Sequence, residues 1–468
     1  MKKVLAGVAA LTLLVPATAS AHGIVGRQDL PVPRWLFVWA ASAVLVASFA
    51  GLAALWQQPQ FETPRERVIA SVPRVFEVLA GVIGVAWFGL VVYAGFAGSQ
   101  TTVDNIAPTA VYVVFWVGFP VASFIFGDVF RVFSPWRAIG RAAGWIAKRV
   151  GGESMAEPLT YPARLGHWPA AATILCFTWL ELVYANNDDP SIIAALALAY
   201  MVIQLVGMTV YGVEQWITKA DGFGVLFGLY ARISPLDLRA GKIRWRRPLE
   251  GLASFKPVAG SVALLCVAIG TTSFDGGSQG ELWSEIAPHL QDFFAGLGFN
   301  ARDALELAFT VGLVFMCLVV AAVYRIGIEG MRRIGDTPRA AKDLGRAFVH
   351  TLVPISLAYV VAHYFSLLAY QGQDVYRLIS DPLGDGSDLF GTAGRAIDYS
   401  VVDANGIWYV QVGALILGHV AGLVLAHDRA IALYARVRDA TRSQYWMLAV
   451  MVAFTCLGLW LLSAAAQS

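Results

Sequence analysis

Charge is what this chain has least of. Of its 468 residues only 14% are Asp, Glu, Lys or Arg, against 57% hydrophobic. A soluble protein of that length needs a charged and polar coat that this composition does not supply. Cysteine is scarce as well. Cys176, Cys266, Cys317 and Cys456 each stand alone inside an apolar run, with no C-x-x-C pair. Clustered thiolate ligation is thereby excluded, and the four thiols read as small buried side chains. The chain also lacks a G-x-x-x-x-G-K-[ST] phosphate loop, an H-E-x-x-H pair and a G-x-G-x-x-G dinucleotide fingerprint. Its basic residues are dispersed rather than gathered in a patch, which argues against nucleic acid as a partner.

What is there is a succession of apolar runs. About 20 apolar residues cross hydrocarbon as a helix. On that rule ten spans follow one another, at about 34–56, 75–98, 107–130, 168–186, 191–217, 257–275, 303–327, 346–370, 406–427 and 444–463. The expected fold is all-α, a polytopic integral membrane bundle that takes the lipid bilayer as its solvent. The first 21 residues read as a secretory signal peptide. Lys2 and Lys3 form the basic end, Val4 to Val15 the apolar core, and Ala19-Ser20-Ala21 the small-x-small cleavage site. Residues 22–468 then make a single membrane-embedded domain. Cleavage puts His22 first, where its amine and imidazole together can chelate copper, although no other ligand stands at a fixed spacing from it.

Orientation follows from the basic residues of the short loops. With His22 outside, alternate loops hold Arg65, Arg67 and Arg74, then Arg131 to Arg164, Lys219 to Arg247, Arg325 to Arg346, and Arg429 to Arg442. The other loops are the reverse. Residues 98–107 carry no base, Asn186 to Pro190 is an acidic turn, and 371–405 holds six Asp against two Arg. The expected location is the bacterial inner membrane with the mature N-terminus outside. Two stretches of the basic loops stand out. Pro135 to Val150 alternates apolar and basic residues at helical spacing, as in a helix lying on the inner leaflet. Ala220 to Leu236 is apolar but interrupted by Gly and Pro, as in a re-entrant or interfacial segment.

An ionisable side chain at the centre of a membrane helix costs at least ~2.5–3.5 kcal/mol, so such residues usually meet a partner or a cavity. One set lies deep: Glu181, His363 and His419, with Tyr184, Tyr359 and Gln411 as potential partners. Helical rise puts Glu181 and His363 level and His419 about one and a half turns away. A second set gathers toward the basic loops: Asp128, Glu214, Asp221, His350, His427 and Asp428. Imidazole and carboxylate together suit zinc, iron or manganese, and imidazole alone suits haem or copper. His363, His419, His350, His427 and Glu214 are therefore candidate ligands of a divalent metal. Glu181 and Asp128 are candidate catalytic bases. The alternative for either set is ordinary packing histidines and wet span ends. His350 and His363 fall about 140° apart around their helix, against two stacked haems.

Four stretches together carry a resemblance: AHGIVGRQDLPVPRWLF, FGDVFRVFSPWRAIGR, ADGFGVLFGLYARISPL and HTLVPISLAYVVAHYFSLLAYQGQ. They resemble a bacterial family of polytopic membrane proteins described as fenitrothion hydrolases, over most of the chain. The resemblance implies hydrolysis of an apolar aryl phosphorothioate triester and assigns no residue a role. A metal-bound water near pKa 7 is the expected nucleophile of such a site, with Glu181 or Asp128 as base. Two other readings stand beside it. Intramembrane Glu and His also build the proton relays of transporters, and the histidines suit a copper-handling or redox protein.

Overall fold

In hydrocarbon every backbone N–H and C=O must find its partner within the protein, so long apolar runs fold as helices. The computed structural model describes residues 34–62, 65–151, 157–239, 241–335 and 339–465. The expected leader and His22 lie outside the described residues. The helices are α1 Arg34–Leu55, α2 Arg74–Ala97, α3 Ile106–Phe126, α4 Val129–Phe133, α5 Pro135–Gly151, α6 Trp168–Leu182, α7 Pro190–Tyr211, α8 Val213–Lys219 and α9 Gly222–Ala231. They continue with α10 Glu250–Ala253, α11 Ser261–Ser278, α12 Glu281–Gly296, α13 Ala301–Ile334, α14 Ala341–Phe348, α15 Leu352–Leu378, α16 Ala404–Leu433 and α17 Val437–Ala465. Three short strands, β1 Arg67–Ser71, β2 Leu236–Arg239 and β3 Lys242–Trp245, form an antiparallel sheet in the order β1-β3-β2. The protein is an all-α polytopic membrane bundle.

Among the described residues eight helical segments are long and apolar enough to cross a membrane: α1, α2, α3, α7, α13, α14 joined to α15, α16 and α17. The two other expected spans are helices of a different kind. α6 has 15 residues, roughly 22 Å of rise, which falls short of the ~30 Å of hydrocarbon. α11 has 18 residues but carries Thr271, Thr272, Ser273 and Asp275. It tolerates them because it touches little lipid: it is buried almost all round, packed against α6, α13, α15 and α17. α11 is the central post of the bundle.

Small residues set the closest approaches. A Cβ at Gly418 would collide with the Cβ of Ala358 and stand 2.8 Å from the carbonyl oxygen of Pro354. One turn on, a Cβ at Gly422 would stand 2.9 Å from the Thr351 carbonyl oxygen. This G-x-x-x-G spacing presses α16 onto α15 backbone to backbone, as membrane helices do where no hydrophobic force drives them together. α3 is π-helical over Thr109–Gly118, and this stretch packs on α15.

The loops sort to two ends. Ser99 N–H donates to Leu383 O at 2.7 Å, Arg377 to Val103 O at 2.5 Å, and Arg302 to Asn186 Oδ1 at 3.1 Å. These contacts gather 98–105, 183–189, 300–302 and 371–403 on one acidic face. The sheet ties β1 to β2 and β3 on the opposite, basic face. There Arg429 pairs with Glu62 at 3.0 Å and donates to Ala253 O at 2.7 Å. α5 is a helix over the expected stretch. Of the two expectations for the 220–236 stretch, re-entrant or interfacial, the burial of α9 beside α3, α4 and α6 goes against the interfacial one. Arg232 and β2 complete the stretch.

Candidate functional site

The polar residues of α11 differ in how they are satisfied. Thr272 and Ser273 turn their hydroxyls back to the helix, donating to Ala268 O at 3.0 Å and Ile269 O at 2.7 Å. Their polarity is spent locally, as is usual for such residues in membrane helices. Asp275 has no such local outlet, because a carboxylate accepts only. It is 1% exposed and reaches across to α15. His363 Nε2 lies 2.8 Å from Asp275 Oδ2, and the Tyr364 hydroxyl donates to the same oxygen at 2.7 Å. The two rings sit 4.6 Å apart, centroid to centroid, nearly perpendicular. Gly276 lies against the same ring, since a Cβ there would stand 3.4 Å from His363 Nδ1.

Glu181 comes from α6 to the same region. It is buried and within electrostatic reach of both Tyr364 and Tyr112. Tyr112, on the π-helical stretch, donates to Asn187 O at 2.6 Å, and Asn187 Nδ2 donates to Glu181 O at 2.5 Å. The cluster therefore sits where α6 and α11 end, beneath the 183–189 turn of the acidic face. Glu181 is the last residue but one of α6 and is buried.

The deep set of the sequence is thus divided. Glu181 and His363 are brought to one region, as expected from their depth. His419 is not placed with them. It is fully buried on α16, its Nδ1 donating to Leu415 O at 2.8 Å, between Tyr359 and Phe454 with both ring centroids 6.2 Å away. Tyr184 stacks on Trp179 instead.

The basic-face set does not form the common ring expected of it. Asp128 caps α4, accepting from Arg131 N–H at 3.2 Å, and burial pushes its carboxyl above the ordinary range. Glu214 accepts from Arg131 at 2.6 Å and from Arg137 at 2.9 Å. Asp221 accepts from Trp136 Nε1 at 2.8 Å and from the Tyr200 hydroxyl at 2.6 Å, stapling α5 and α7 to the start of α9. His350 is buried in the turn between α14 and α15. His427 turns to Trp56 O at 3.2 Å and to the edge of Phe49. Asp428 accepts from Trp56 Nε1, Gln60 N–H and Phe61 N–H at 2.9, 2.5 and 3.2 Å. The helices carry these side chains to the same level but point them at separate neighbours. Among the described residues no three His, Cys, Asp or Glu side chains gather as a metal-holding group. His350, buried in its turn, and His427, on Trp56 O, are each taken by their own surroundings.

Burial alone would raise the Glu214 carboxyl, but Arg137 and Arg131 hold it below its ordinary value of 4.5. A group depressed in the folded state adds stability above its unfolded pKa and loses it as pH falls through the folded one. Glu214→Gln is therefore expected to flatten the stability loss on acidification below about 4.5, read as detergent-solubilised melting temperature against pH. An unchanged slope would mean that the Arg131–Glu214–Arg137 bridge does not contribute.

Asp275 and Tyr364 are the residues that sequence reasoning passed over. The available signal was a lone acid in SFDGG at the end of a run with small polar residues. The same place spells G-x-S-x-G over Gly276 to Gly280. That spelling is not a strand-to-helix elbow: Ser278 is the last residue of α11 and donates to Asp275 O at 2.9 Å. No family model, curated protein or solved structure matches this chain.

Proposed function

We propose that the protein is a proton-coupled membrane carrier and that Asp275 and His363 are its proton-exchange pair. One observation carries this reading: an imidazole and a phenol converge on a single carboxylate oxygen of a buried aspartate. Within the bundle neither a bare carboxylate nor a bare imidazolium is cheap. Together they are neutral whether the proton sits on Asp275 or on His363. One further proton makes the pair positive, and loss of one makes it negative. Either change alters the cost of keeping the site enclosed, which is how proton binding drives a change between two arrangements of helices. Tyr364 holds the acceptor in place, and Glu181 continues the ionisable chain toward the acidic turn.

A second reading uses the same pair. A carboxylate on Nε2 orients an imidazole so that Nδ1 can act as general base. His363 would then take a proton from water as it attacks the phosphorus of an apolar aryl phosphorothioate triester, with the phenolate leaving. The substrate would enter from lipid.

The test is reconstitution of the full chain in liposomes containing a pH-sensitive dye, with the triester assayed in the same preparation. Proton flux in the wild type, lost in His363→Gln, supports the carrier. Triester turnover lost in His363→Gln without flux establishes the second reading in its place. Flux that survives His363→Gln unchanged defeats the proposed pair.

A further inference from the structure

α5 has two unlike halves. The first is fastened to the bundle. Trp136 donates to Asp221, Arg137 pairs with Glu77 and Glu214 at 2.9 Å each, and a Cβ at Gly140 would meet Met208 Sδ at 2.9 Å. The second half leaves it. A Cβ at Gly144 would meet nothing within 4 Å. Beyond it Trp145, Ile146 and Val150 are 60%, 54% and 84% exposed. Lys148 and Arg149 are exposed among them, and the Arg149 guanidinium lies 4.7 Å from the Trp145 ring centroid. From Gly144 to Gly151 the helix contains no acid.

The same mixture recurs on the sheet of this face. Val68, Ile69 and Trp245 are 49%, 53% and 51% exposed, with Arg67 and Lys242 exposed beside them.

We propose that the free half of α5 binds anionic phospholipid, with Trp145, Ile146 and Val150 seated at the boundary of headgroups and acyl chains and Lys148 and Arg149 on lipid phosphates. Three features select this occupant over an acidic protein. α5 is separated from the end of α3 by eight residues (127–134), with only the short α4 between them, so it lies near the level where spans leave the hydrocarbon. Trp with aliphatic side chains on a basic helix is the composition of interfacial helices. The charge is of one sign and complements an anionic leaflet, whose attraction for each base falls off within a Debye length. The first half of α5 supplies the rigid mount, so the site exists before lipid arrives.

The experiment uses the full chain in nanodiscs of phosphatidylcholine, alone or mixed with phosphatidylglycerol brominated on its acyl chains. Trp145 emission is isolated as the difference between wild type and Trp145→Phe. The expected result is quenching of that difference by the brominated phosphatidylglycerol, together with retention of phosphatidylglycerol through purification. Lys148→Gln with Arg149→Gln is expected to weaken retention roughly fivefold per base removed. Melting temperatures of the variants check that they fold. Trp145 emission quenched by aqueous iodide and indifferent to brominated lipid would overturn the proposal. So would unchanged lipid retention in the folded double variant. Binding of an acidic protein without lipid retention would assign the surface elsewhere and overturn it as well.

Discussion

Asp275→Asn removes proton flux while the protein still folds. The two groups that meet Asp275 explain both halves of that result. His363 and the Tyr364 hydroxyl meet one carboxylate oxygen, at 2.8 and 2.7 Å. Asn keeps the volume and one acceptor oxygen, which in the place of Oδ2 still meets both groups. Its amide cannot take or release a proton, and so the pair loses its exchange function. Positioned acid–base groups typically contribute 10²–10⁴-fold, and a fall in flux on the order of 10²-fold is expected. Asp275→Ala goes further. It removes the acceptor of the buried Tyr364 hydroxyl, a loss of about 1–3 kcal/mol, and is expected to lower the melting temperature as well as the flux. Wild-type flux in Asp275→Asn would remove Asp275 from the mechanism. Equal flux losses in both variants, with only Asp275→Ala destabilised, would separate chemistry from folding.

Gly418→Val disrupts the contact between α16 and α15. A Cβ at this position meets the Cβ of Ala358 and the carbonyl of Pro354. The second obstacle is backbone, which cannot swing aside as the end of a side chain can. Valine adds two methyl groups to the clash. Overpacking of this kind costs about 1–3 kcal/mol or more, and here it also forces apart the helix that carries His363. The expected outcome is a lower melting temperature and lower yield in detergent, with reduced flux in whatever folds. Gly413→Val is the control on the same helix, because a Cβ there meets nothing within 4 Å. A Gly418→Val protein as stable as Gly413→Val would show that the two helices are free to separate without penalty.

The positions of the spans were legible in the sequence because hydrophobicity along a helix is additive and needs no knowledge of neighbours. α5 was legible for the same reason, its apolar and basic residues alternating at the helical period. Depth was half legible. Counting residues from span ends placed Glu181 and His363 level, and both are in the same region. The same count treats ten helices alike and so misses that α6 is short and that α11 is polar and enclosed by its neighbours. Asp275 was lost in that way. A mildly apolar run ending in SFDGG looks like the frayed end of a span, and only the shell of helices around α11 makes its aspartate a buried one.

Sequence alone determined that this chain is a bundle of membrane helices with its loops divided into a basic and an acidic set, since hydropathy and charge are properties each segment carries by itself. Tertiary structure decided which ionisable groups meet. His419 and His363 sit on neighbouring helices, yet one faces Tyr359 and Phe454 and the other Asp275. The direction a side chain takes depends on the rotation of its helix about its own axis. That rotation is set by close contacts such as Gly418 on Ala358, which no single segment encodes.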